Sequence, residues 1–67
     1  MKLTATFKTD DDDRLYCVLT DNATSLPVHI INDTVTEIVR PFREDVREWA
    51  TEAGHEITAW KMEGVKL

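Results

Sequence analysis

The sequence predicts a small α+β domain: a single-layer antiparallel sheet of three to four strands with one amphipathic helix packed on one face, in the order β-β-β-α-β. Three observations carry this. Residues 2–9 alternate apolar and polar, the period of a half-buried strand. Within residues 41–54, Phe42, Val46, Trp49, Ala50 and Ala53 recur at i, i+4, i+7, i+8 and i+11, the stripe of a helix that buries one side. Finally, 67 residues with a hydrophobic fraction of 42% can enclose one core, so residues 1–67 form a single domain.

In the first strand Leu3, Ala5 and Phe7 share a face, and the residues between them are Lys or Thr. Asp10, Asp11, Asp12 and Asp13 end it, because four adjacent like charges repel and aspartate is poor in strands; the chain turns in water here. Residues 14–20 resume as a second strand, antiparallel to the first, with Leu15, Cys17 and Leu19 on one side and Tyr16 and Val18 on the other. A polar loop over 21–25 leads to Pro27 and a third extended segment, 28–31, in which Val28 and Ile30 alternate with His29 and Ile31.

Residues 34–40 admit helix, strand or turn. Thr34 with Glu37 has the form of a capping box, and Val35, Ile38 and Val39 lead in helical phase into Phe42. Against this, the segment is rich in β-branched residues, and a proline inside a helix costs roughly 3 kcal/mol. A helix that starts at Pro41, where proline is favoured, reconciles the two. Gly54 stands where a helix closing on a left-handed residue wants glycine. Residues 55–62 alternate as a final strand, and Glu63-Gly64 turns into a short tail.

Eight basic residues against thirteen acidic ones give a net charge of −5, which disfavours nucleic acid and anionic membranes as direct ligands. Between Asp10 and Glu56 there are twelve acids and four arginines; outside that stretch there are four lysines and one glutamate. The protein is thus an acidic body with basic flanks. Cys17 is the only cysteine, and the amino terminus MKLTATFK lacks the apolar run of a signal peptide, so a cytoplasmic setting is expected. In that setting the two N-x-T sequences at Asn22 and Asn32 are not glycosylation sites.

No enzyme is expected. Cys17, His29 and His55 show no zinc-like or catalytic-pair spacing, and Cys17, set among leucines, reads as a small core residue. The aspartate run fails the calcium-loop pattern, since its sixth position, counted from Asp10, is Leu15 where glycine is needed; neither metal nor cofactor is expected. With only two glycines and no phosphate loop, no standard nucleotide site is present.

Two surfaces remain as candidates. The first is acidic: Glu44, Glu48 and Glu52 stand one above another on the wet side of the helix, with Asp45 beside them, and Asp10, Asp11, Asp12 and Asp13 add to them if the hairpin lies alongside. Duplex DNA carries one charge per roughly 1.7 Å of axis, so the ladder alone is too sparse to imitate it. Arg40 and Arg47 are in position to pair with Glu44. The second surface is apolar: Tyr16, Val18, Trp60 and Met62, if Ile57 and Ala59 join the residues that meet the helix. Which sheet face meets the helix is left open by alternation alone. In size and charge the chain is similar in kind to small phage-encoded inhibitors that occupy basic, nucleic-acid-binding surfaces of other proteins. The expected function is therefore a non-catalytic acidic protein that inhibits a partner with a basic surface, as a nucleic-acid mimic. The alternative is a structural or regulatory module that self-associates, as a homodimer, through the apolar sheet face.

Overall fold

In a computed structural model, described over residues 1–12, 14–32 and 39–64, the chain forms strands β1 (Lys2–Thr9), β2 (Leu15–Asp21) and β3 (Pro27–Asn32), helix α1 (Val39–Glu52) and strand β4 (Glu56–Glu63). The expected element order holds, and the fold is a small α+β one. The sheet order is β3-β2-β1-β4.

The pairings β1 with β2 and β2 with β3 are antiparallel, whereas β4 lies parallel to β1. Topology explains the parallel pair. β3 runs in the same direction as β1, the chain then crosses the sheet through α1, and a strand delivered by such a crossover re-enters in the original direction. It also fixes the direction of α1. Asn32 pairs with Tyr16 beside the β1–β2 tip, while β4 starts beside Lys2, so α1 begins at the tip end and finishes at the other.

The helix closes as the glycine predicts. Gly54 has φ 77°, and the N–H groups of His55 and Gly54 donate to the carbonyls of Ala50 (2.7 Å) and Thr51 (3.1 Å), the paired bonds of a Schellman motif. At the other end α1 starts at Val39, two residues before Pro41. This costs nothing, because the first-turn N–H groups of a helix have no partner inside it. The proposed capping box at Thr34 and Glu37 lies outside the described residues, as do Asp13 and the tail 65–67.

Leu3, Ala5, Phe7, Leu15, Cys17 and Leu19 are buried under Phe42, Val46 and Ala50 of α1, which settles the face of the sheet that meets the helix. Phe7 and Phe42 meet with ring centroids 5.6 Å apart. Cys17 is a free thiol wholly inside this core; burial pushes it up from 9.0 to about 12, against a smaller opposing effect of its backbone hydrogen bond to Thr6, so it stays a neutral, unreactive hydrophobe.

Strand β4 departs from simple alternation. Leu3 pairs with Ile57 but Thr4 pairs with Ala59, so Thr58 is an extra residue, a β-bulge. A chain of side-chain hydrogen bonds fastens it. Thr4 Oγ1 donates to Asn22 Oδ1 (2.6 Å), Asn22 Nδ2 donates to Thr58 Oγ1 (2.7 Å), and Thr58 Oγ1 donates to the Leu3 carbonyl (3.3 Å).

The bulge corrects the expected placement of Ala59, Trp60 and Met62. Ile57 and Trp60 both reach the helix side and pack on the core, while Ala59 pairs with Thr4 and shares the opposite face. Trp60 stacks on Phe7 at 5.7 Å, and Met62, paired with Phe7, lies on that same side.

Candidate functional site

Helix α1 sorts its side chains by angle. Phe42, Val46 and Ala50 point into the core. Arg43 and Arg47, one turn apart, lie on the flank above β4, with guanidinium carbons 4.6 Å and 5.7 Å from the Trp60 ring centre. Arg43 Nε is buried with no hydrogen-bond partner among the described residues, as suits a guanidinium set over an aromatic face. Trp49 lies on the opposite flank, above β3, stacked on His29 at 4.3 Å and tilted against His55 at 5.7 Å.

The acids occupy what is left. With about 100° per residue, Asp45 and Glu52 fall on the Trp49 flank, and Glu44 and Glu48 on the crest. All four are exposed. From Glu44 to Glu52 the line runs for about 12 Å at 1.5 Å per residue. Beside the line is a shallow, open depression walled by Glu44, Arg47, Glu48, Thr51 and Glu52, too open to enclose a small molecule.

Among the described residues these acids make no ion pair. Among the described residues the one ion pair is Lys8 with Glu63 at 3.2 Å, on the far face of the sheet. The expected pairing of Arg47 with Glu44 is not made, because Arg47 turns to Trp60; the side chain of Arg40 lies outside the described residues. The ladder is also unfavourable for the helix. Glu48 has Glu44 at i−4, Asp45 at i−3 and Glu52 at i+4, and each such like-charge pair costs a few tenths of a kcal/mol. Glu52 is the last residue of α1, at the negative end of its dipole, which adds about 0.3–1 kcal/mol.

The hairpin tip lies at the end of the sheet where α1 begins, so Asp10, Asp11 and Asp12 stand at the Glu44 end of the helix, with Glu52 at the opposite end. Their roles differ. Asp10 Oδ1 accepts hydrogen bonds from the backbone N–H groups of Asp12 and Arg14, both at 2.9 Å, so this carboxylate builds the turn. Asp11 and Asp12 are exposed and point their charge outward.

The four apolar candidates are not brought together. Tyr16 and Val18 are half-buried on the open face of the sheet, opposite Lys8 and Thr6 of β1. Trp60 lies beneath two arginines on the helix side, with Met62 exposed at its margin. What sequence reasoning missed was the pairing of Trp60 with Arg43 and Arg47. Their i, i+4 spacing was legible, but the bulge that turns Trp60 toward them was not. No described helix is long and apolar enough to cross a membrane. No family model, no curated protein and no solved structure matches the chain.

Proposed function

We propose that this chain is a small, non-catalytic acidic binding protein that acts in the cytoplasm by occupying a basic surface of a protein partner, with Glu44, Asp45, Glu48 and Glu52 at the centre of contact and Asp11 and Asp12 extending it. The observation that supports this reading most strongly is that the helix acids are exposed, without an ion pair among the described residues, and held where they weaken the helix. Like charges kept together against local stability suit a recognition surface, where an oppositely charged partner relieves the repulsion. A ridge of carboxylates competes best for a groove built for phosphate, so inhibition of nucleic-acid access is the expected consequence, as for the phage-encoded inhibitors that it resembles in size and charge.

Neither a metal nor a cofactor enters this reading. The alternative, self-association through Tyr16, Val18, Trp60 and Met62 as one apolar surface, has less support, since the strand register divides them between two faces.

The test is retrieval of the partner on the immobilised protein and on the variant Glu44→Lys, Glu48→Lys, Glu52→Lys. The expected result is one partner, eluted as salt rises from about 50 mM to about 500 mM, where screening shortens to a few Å, and absent from the variant. A partner held equally by both, or indifferent to salt, would sink the reading.

A further inference from the structure

The two edges of the sheet differ in how they are guarded against pairing with another strand. Edge strand β4 carries Glu56, Lys61 and Glu63 and is broken by the bulge at Thr58, the features that keep an edge from accepting a new neighbour. Edge strand β3 carries no charged residue at all, and neither does Leu26 before it. Five large apolar side chains are exposed on the described surface, and three of them are here: Leu26 (63% exposed), Val28 (44%) and Ile30 (52%). Its interruptions are Pro27 and a bulge at Val28, the residue skipped between His29 (paired with Leu19) and Pro27 (paired with Thr20), so the regular pairing runs from His29 to Asn32, with no further strand beside it among the described residues.

We infer that this edge is a homodimer interface, in which β3 of one copy pairs antiparallel with β3 of a second to make a continuous eight-stranded sheet. The occupant follows from charge and symmetry. A strand that fits beside residues 26–31 must itself be uncharged and apolar, and a second copy presents such a strand. With a net charge of −5, two copies repel over most of their surfaces and approach with least repulsion where neither carries charge. A two-fold axis perpendicular to the sheet at Ile30 makes the contact self-complementary: it opposes Ile30 to its own counterpart on the open face, and His29 to Ile31 on the helix side. Glu44 and Glu48 on the two crests then remain outward and free, while Asp45 and Glu52, on the flank above β3, face the seam and add to the repulsion that salt must screen; the dimer goes beyond the proposed partner binding and does not depend on it.

The salt dependence separates the two. Association of like-charged copies strengthens as salt screens their repulsion, whereas binding to a basic partner weakens. Sedimentation of the full chain from about 10 µM to about 1 mM is expected to show a monomer–dimer equilibrium that tightens between about 50 mM and about 500 mM salt. Ile30→Lys, which places a charge on an exposed edge position, is expected to weaken the dimer at least about tenfold. Met62→Lys at the guarded edge should leave it unchanged. Amide exchange supplies a readout on the unaltered protein: protection of residues 28–32 should rise with protein concentration while that of β4 does not. A wild type that stays monomeric at the highest concentration, or an Ile30→Lys chain that dimerises as well as wild type, overturns the proposal, and leaves the acidic crest untouched.

Discussion

The inward and outward sides of α1 obey opposite rules. Inward, Phe42, Val46 and Ala50 are at most 2% exposed, against a core of apolar side chains, so each side chain adds to stability. Outward, Glu44, Glu48 and Glu52 are exposed, surrounded by their own charge, and end on the wrong pole of the helix dipole. A residue on the first side is explained by what it packs against. One on the second side is poorly explained by the fold, and that contrast is the reason to assign it a partner.

The sharpest way to break the contrast is to damage the inward side. Phe42→Ala removes a ring packed on Phe7 and should cost about 3–5 kcal/mol, which for a domain of this size approaches the whole stability of about 0.05–0.15 kcal/mol per residue. Its circular dichroism should be that of a largely unfolded chain at room temperature. A folded Phe42→Ala protein with an unchanged urea midpoint would show that α1 is not anchored as described.

The second way uses pH, since Cys17 lies in the core that the same stripe covers. The folded thiol is raised to about 12 from 9.0 by burial. The unfolded chain therefore ionises first, and the contribution of the neutral thiol is fully present below pH 9.0 and declines as pH rises toward about 12. Stability should fall by up to about 1.4 kcal/mol per pH unit in that window relative to Cys17→Ala, measured as paired urea midpoints. Parallel pH profiles for the two proteins would mean that the thiol reaches water.

Much of this contrast was legible in the sequence, and the reasons it was not fully so are local. The inward stripe, the first two strands and the turn at Gly54 follow from periodicity and backbone preference, which operate over a few residues. The face of Trp60 does not. Strict alternation sends Ile57 and Trp60 to opposite sides, and only the extra residue Thr58, held by Asn22 from a loop 36 positions away, brings both to the core. The parallel pairing of β4 is likewise decided by the crossover rather than by the strand's own residues. On the candidate site, the acids themselves were evident. The position of Arg47 was not, because it has two available neighbours, Glu44 by helical spacing and Trp60 by tertiary placement, and it takes the second. Whether the aspartate hairpin lies near the ladder also required the direction of α1 across the sheet.

The smallest expected effect tests the central claim most directly, because its sign alone decides. Replacing Glu48 and Glu52 together with Gln removes the like-charge pairs and the charge at the helix end while keeping length and hydrogen-bonding capacity. Urea unfolding at low salt should show the double variant to be more stable than wild type by about 0.5–1.5 kcal/mol, with the gain fading as salt is added. A double variant less stable than wild type would contradict the account, for it would mean that these carboxylates serve the fold and are not held for a partner.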